Sequence, residues 1–161
     1  MMSNFRRSWS VVGTRAVLPQ KQAFLNSYLF TAINPITGDS FHLIGFDEMS
    51  TQTEYIFLME LKKKHPLEHI VVVIDNAPCH KPKILHTIEG LTLIKLPPYS
   101  PELNPVERFF EEVRRSTCNQ VFSTLEVLED TITTAVNSWS KEMLQQLCCY
   151  DWIERQLGEV N

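Results

Sequence analysis

Two carboxylates, Asp75 and Glu107, occupy positions in this sequence that suit metal chemistry. Asp75 directly follows Ile70–Ile74, five consecutive β-branched residues that are typical of an internal, parallel strand buried on both faces. Functional groups in open α/β sheets gather just outside the carboxyl ends of such strands. Glu107 lies in the first turn of a predicted helix, after a loop that contains three prolines. The sequence therefore predicts two carboxylates aimed at one divalent metal site.

Each carboxylate also has a purely structural interpretation. Asp75 can end its strand in an Asx turn, and its neighbours alone do not favour either role. Glu107 lies three residues after Asn104, where a glutamate completes a capping box, and the spacing by itself favours capping. The stiff loop before the helix favours the metal site instead, because it fixes the direction of the first helical turn.

The composition indicates one compact domain. The chain has 161 residues, of which 43% are hydrophobic and 21% charged, as in ordinary globular proteins. No apolar run is long enough to span a membrane and no secretory signal is present, so we expect a cytoplasmic protein without a membrane partner. The four cysteines lack the spacing of a zinc site or disulfide framework. With a net charge of −4, the chain alone should not hold nucleic acid tightly.

The elements that must position the carboxylates can be read from the hydrophobic pattern. We predict a hairpin of strands 28–34 and 41–46, a helix to 64 begun by a Thr51–Glu54 capping box, strand 70–74, a short helix 83–89, strand 91–96, a helix 105–117 capped by Asn104, and a helix begun by a Ser123–Glu126 capping box. The predicted domain covers 1–161, with an irregular lead-in 1–27, a core 28–118 and C-terminal helices 119–161. This order predicts a mixed α/β fold.

Two motifs carry a family resemblance. The segment IDNAPCHK, followed by LPPYSPELNPVERFFEEVRR, resembles the catalytic core of the mariner-like (Tc-type) DDE transposases of insertion sequences. The pair Trp9 and Gly13 and the hairpin also fit, so the resemblance covers nearly the whole chain. It implies a ribonuclease-H-like (integrase-like) mixed sheet with flanking helices. Asp75 then matches the second catalytic acid of the family and Glu107 the third, with 31 residues between them.

The resemblance also implies a reaction and its partners. Two Mg²⁺ or Mn²⁺ ions held by three carboxylates activate water or a DNA 3′-hydroxyl for in-line attack on a phosphodiester. The partners are then transposon-end and target DNA, bound by a full transposase. The residues expected to support the catalytic acids or to contact DNA are Asn76, His80, Lys81, Tyr99 and Asn104.

One departure from the family pattern bears on activity. The first catalytic acid of the family lies on a strand upstream of the Trp9–Gly13 segment, and we expect the chain to lack this central strand. Asp47 and Glu48 do not replace it, because they follow that segment instead of preceding it. We therefore expect the chain to be inactive alone, and to form a homo-oligomer or receive the missing half in trans. The alternative is a non-catalytic remnant that binds an intact transposase and alters its assembly.

Overall fold

The structure, a computed structural model, describes residues 12–13, 26–77 and 83–158, without the side chains of 154 and 156–158. The elements in chain order are β1 (Tyr28–Ile33), β2 (Ser40–Phe46), α1 (Thr51–Lys64), β3 (Ile70–Ile74), a 3₁₀ helix (Lys83–Thr87), β4 (Leu91–Lys95), a second 3₁₀ helix (Pro101–Leu103), α2 (Val106–Thr117), α3 (Leu125–Asn137), α4 (Lys141–Cys148) and α5 (Asp151–Gly158). The predicted mixed α/β order is confirmed. No helix in these ranges is long and apolar enough to cross a membrane.

The first two strands form the predicted antiparallel hairpin. Phe30 pairs with Leu43 in its register, and the turn is closed by the Asn34 side chain, which accepts hydrogen bonds from two backbone amides that follow it. Gly38 in this turn has φ +70°, and a Cβ atom there would lie 2.0 Å from the Lys141 carbonyl oxygen. Only glycine therefore lets the turn dock against the start of α4.

The other two strands form a parallel pair, in which Val72 is the partner of Leu93. The prediction that 70–74 is buried on both faces was wrong. Val71 and Val73 are 54% and 51% exposed, as is Ile94 on β4 at 50%. Successive side chains of a strand point to opposite faces, and in the described residues helices cover only one face of this pair. The apolar run indicated a parallel strand correctly, but it does not report what covers the strand.

Within the described ranges the four strands form two separate sheets, β1–β2 and β3–β4. Each of these strands has a single hydrogen-bonded partner. The prediction that the chain lacks the first central strand concerns residues that the structure does not describe or that lie outside this sequence, so it stays a prediction.

Two hydrophobic clusters hold the elements together. The first joins one face of the hairpin, through Phe30, to α1 and to the covered face of β3–β4. The second joins the opposite face of the hairpin, through Leu29 and Ile33, to α2, α3 and α4. Phe109 on α2 is fully buried there, and its ring contacts the rings of His42 and Trp139. The hairpin is thus packed on both faces.

One predicted capping box is displaced by one residue, and at the other helix a single side-chain cap, also displaced by one residue, replaces the predicted box. Ser50, not Thr51, caps α1: its hydroxyl accepts from the Thr53 amide while the Thr53 hydroxyl accepts from the Ser50 amide. Thr124, not Ser123, caps α3 by accepting from the Val127 amide. Each helix starts at an adjacent Ser-Thr pair, and the two hydroxyls are equivalent as capping groups in sequence. The tertiary structure decides which of them is used.

Candidate functional site

Asp75 and Asn76 leave the carboxyl end of β3. Asp75 is exposed, and its Oδ1 accepts a hydrogen bond of 2.9 Å from the Ala77 amide, so the Asx turn is present. A carboxylate has about four lone-pair sites, so this turn is compatible with metal binding and does not decide between the two interpretations. Asn76 donates from Nδ2 to the Leu96 carbonyl oxygen at 2.5 Å. That hydrogen bond ties the end of β3 to the end of β4.

Glu107 is not part of a capping box. The Asn104 amide, which such a box would pair with the glutamate, donates to the Pro101 carbonyl oxygen at 3.0 Å. The predicted cap is also displaced: α2 begins at Val106 with Pro105 as its cap residue, and Asn104 contributes by accepting from the Val106 amide. The Glu107 side chain is half-buried and has no hydrogen-bond or ion-pair partner among the described residues. This removes the structural interpretation that its spacing favoured.

The two carboxylates are connected through one edge of the parallel sheet. Because β3 and β4 run in the same direction, Asp75 and the connector 96–105 both leave at their carboxyl ends. The Leu96 amide also donates to the Ile74 carbonyl oxygen at 2.8 Å, which holds the start of the connector beside Asp75. Across the described ranges, no cluster of three or more His, Cys, Asp or Glu residues is placed to hold a metal ion. A three-carboxylate centre is therefore not complete there.

The connector also contains a conformationally unusual tyrosine. Tyr99 has φ 58°, in the left-handed region that residues with a Cβ rarely adopt, and its side chain is fully exposed. Strained, exposed residues of this kind concentrate at functional sites. His80 and Lys81, the other two predicted supporting residues, lie outside the described residues.

The junction of α4 and α5 makes a further contact with the start of α2, which the sequence pattern did not predict. The Cys148 thiol donates to the Pro105 carbonyl oxygen across 3.7 Å, and the Arg108 guanidinium lies 4.5 Å from the centroid of the Tyr150 ring. Burial raises the pKa of the Cys148 thiol to about 11, so it keeps its proton at neutral pH. The partners in these contacts are about forty positions apart in the chain. The helical pattern of the C-terminal residues therefore could not show that they contact α2.

The chain is similar in sequence to known proteins. Residues 2–129 match the sequence model of a family described as DDE superfamily endonuclease. A protein of Sinorhizobium fredii (strain NBRC 101917 / NGR234), described as uncharacterized protein y4pE/y4sA, is 30% identical over 117 residues. The aligned part is 71% of this chain and 84% of that protein.

The fold is similar to that of solved transposase complexes. A Mos1 transposase paired-end complex with the left transposon end matches 90% of this chain with a TM-score of 0.68 at 16% identity. A Mos1 mariner paired-end complex with Mn matches 89% with a TM-score of 0.64 at 17% identity. This chain spans 46% of the length of each of those chains. At such identities the likeness shows the fold, and the predicted ribonuclease-H-like class is confirmed.

The two sequence motifs and the fold thus agree with the family match, which covers well over half of the residues. The chain belongs to the DDE superfamily endonucleases.

Proposed function

We propose that this chain is the part of a transposase catalytic core that carries two carboxylates, Asp75 and Glu107, of a metal-dependent centre for DNA strand cleavage and transfer. The observation that carries the proposal is the shared sheet edge. The Asn76–Leu96 hydrogen bond holds Asp75 beside the start of the connector that leads to Glu107. The third carboxylate is proposed to come from a segment outside this sequence or from another chain.

The two carboxylates are ligands of the kind that a divalent ion binds, but they are one fewer than the three that the family resemblance implies. Mg²⁺ and Mn²⁺ prefer oxygen ligands, and Mg²⁺ commonly binds one or two carboxylates together with water and phosphate oxygens. Asp75 is exposed and Glu107 half-buried, so neither carboxylate carries the desolvation cost of a fully buried charge. When bound, the metal supplies charge stabilisation for the attacking and leaving oxygens of a phosphodiester.

The roles proposed for the protein residues follow from their contacts. Asp75 and Glu107 hold the ion, and Asn76 fixes the strand end that carries Asp75. The prolines of the connector limit its backbone freedom and so keep the approach to Glu107 rigid. Tyr99 projects into solvent from this connector and is proposed to contact DNA. With a net charge of −4, the chain leaves most of the DNA affinity to the rest of a larger transposase.

The metal site can be tested by Mn²⁺ titration of the purified chain, followed by electron paramagnetic resonance. We expect Asp75→Asn or Glu107→Gln to weaken Mn²⁺ binding by about tenfold or more, because even outer partners of a metal site contribute about 10–100-fold. Glu111→Gln is the matched control, since this exposed glutamate lies one turn later on α2. An equal loss in Glu111→Gln would mean diffuse binding to surface carboxylates and would contradict the proposal.

Cleavage can be tested with labelled transposon-end DNA in Mg²⁺ or Mn²⁺. We expect no cleavage by this chain alone, and cleavage when a fragment carrying the missing carboxylate is added. The restored activity should disappear in Asp75→Ala. Cleavage that survives Asp75→Ala rules out the assigned role of this residue.

The face of β3–β4 that the described helices leave open supports a second candidate function. Val71, Val73 and Ile94 leave an apolar face half-exposed, and each described strand has one partner only. Such surfaces and edges invite association with other chains. We propose, as the alternative, a non-catalytic partner that binds an intact transposase and alters its assembly. Co-purification with a full-length homologue would support this function, and a monodisperse monomer that binds no homologue would contradict it.

A further inference from the structure

We infer that the junction of α4 and α5 sets the direction of Glu107, with Cys148 and Tyr150 as positioning residues. This inference rests on the proposed function, in which Glu107 is a metal ligand. It extends that function to residues more than forty positions away, on a helix pair with no part in the metal site itself.

Two contacts from the junction fall on either side of Glu107. Cys148 donates to the carbonyl oxygen of Pro105, two residues before it, at 3.7 Å. Tyr150 stacks its ring against the guanidinium of Arg108, one residue after it, at 4.5 Å from the ring centroid. Together they hold the backbone before Glu107 and the side chain after it. The first turn of α2 is thereby fixed against both displacement and rotation about the helix axis.

The first turn of α2 needs such support. Its cap residue, Pro105, has no side chain that could accept a hydrogen bond from the turn. The Asn104 side chain accepts from the Val106 amide at 3.3 Å, which leaves the helix start weakly capped. Helix ends with few side-chain contacts fray, and a frayed turn does not hold a ligand in one direction.

The junction is rigid enough to provide this support. Cys148 is fully buried and Leu144, one turn earlier on α4, is 1% exposed. Leu144 packs in the same cluster as Phe109, so α4 and the body of α2 share one core. The link between α4 and α5 is short, Cys149 and Tyr150, which keeps the Tyr150 ring close to this core. The core therefore holds in place the two residues that contact Pro105 and Arg108.

The test uses the full chain and Mn²⁺ as the probe. Tyr150→Leu removes the ring face, and we expect Mn²⁺ binding to weaken about two- to fivefold, in proportion to the loss of an exposed cation–π contact. Tyr150→Phe keeps the ring and should bind as the parent chain does. Met143→Leu is the matched control, because it changes an exposed apolar side chain of α4 that takes part in neither contact. It should leave Mn²⁺ binding unchanged.

A double-mutant cycle distinguishes the positioning role of Tyr150 from a purely structural one. Arg108→Gln removes the same contact from an exposed position, so Tyr150→Leu should have no further effect on Mn²⁺ binding in that background. All titrations are run at a temperature at which melting curves show each variant to be folded. Equal losses in both backgrounds, or equal binding by Tyr150→Leu and the parent chain, would overturn the inference.

Failure of this inference is distinguishable from failure of the proposed function. If Glu107→Gln leaves Mn²⁺ binding unchanged, the metal site itself is wrong. If Glu107→Gln removes Mn²⁺ binding while Tyr150→Leu does not affect it, the metal site stands and only the positioning role is rejected.

Discussion

The two sheets of this protein differ in how their faces are covered. The hairpin β1–β2 lies between α1 on one face and α2, α3 and α4 on the other. The pair β3–β4 packs one face in the first cluster, while Val73 and Ile94 on the opposite face are about half-exposed. The candidate metal ligands are divided between these regions. Asp75 ends a strand of the half-covered sheet, whereas Glu107 belongs to a helix that packs on the hairpin.

The two regions therefore have different roles in the protein. The doubly covered hairpin contributes to both hydrophobic clusters, and the helix that carries Glu107 packs on one of its faces. The half-covered sheet carries Asp75 and leads into the connector. Its exposed face, which includes Val73 and Ile94, is accessible to other molecules. The proposed metal centre would therefore depend on the packing of the first region and on the exposure of the second.

The largest effect is expected from breaking the cover of the hairpin. Phe109→Ala removes a fully buried ring at the centre of the second cluster and should lower the free energy of unfolding by about 3–5 kcal/mol. Urea denaturation measures this loss. Phe110→Ala is the control on the same helix, because Phe110 is only partly buried. Equal losses in the two variants would mean that the cluster is not centred on Phe109.

A smaller effect is expected from pH, through His42 on the same face of the hairpin. Burial, and secondarily the charge of Lys64, lower the pKa of His42 from 6.5 to about 4. The folded protein thus keeps His42 neutral where the unfolded chain binds a proton. Its contribution to stability is complete above about pH 6.5 and is lost as the pH falls towards 4.

Urea midpoints measured across that pH range check this expectation. His42→Gln should flatten the decrease, because the titrating group is gone. His86→Gln should preserve it, since His86 is exposed on the 3₁₀ helix beside the other sheet. A decrease that persists unchanged in His42→Gln would assign the effect to other groups.

The smallest effect is expected from substitutions in β3, where neighbouring residues lie on opposite faces of the sheet. Val72 is partly buried in the first cluster, and its neighbour Val73 points to the uncovered face. Val72→Thr places a hydroxyl in an apolar environment and should lower the free energy of unfolding by about 1–3 kcal/mol. Val73→Thr should change it by no more than about 0.5 kcal/mol. A comparable loss in Val73→Thr would show that this face is covered in the folded protein.

Up to α2 the sequence predicted the order of the elements except for the second 3₁₀ helix, and their bounds to within two residues, because hydrophobic periodicity and turn residues are local properties. Strand 70–74 and the hairpin were found in this way. It did not predict that Val71 and Val73 are exposed, because coverage depends on which elements are placed over the strand. Similarly, it could not choose between Ser50 and Thr51 as a cap, where adjacent hydroxyls compete and distant packing decides.

In the candidate site, too, local features were predicted from the sequence and long-range contacts were not. Asp75 and Glu107 could be named from local spacing and from the motifs that surround them. The support of the first turn of α2 by Tyr150 could not, because it joins positions far apart in the chain. That Glu107 lacks a capping partner also required the structure, since the competing acceptor for the Asn104 amide, the Pro101 carbonyl, belongs to a 3₁₀ helix that was not predicted.

The double cover of the hairpin also has a consequence for the time course of folding. The hydroxyl of Ser27 donates to Glu129 across 102 positions, and the Gln145 amide donates to the Ile36 carbonyl across 109. A ribosome that adds about 5–20 residues per second synthesises the covering helices roughly 5–20 s after the hairpin. During that interval one hairpin face is exposed to water, chaperones and proteases. High contact order of this kind makes folding slow.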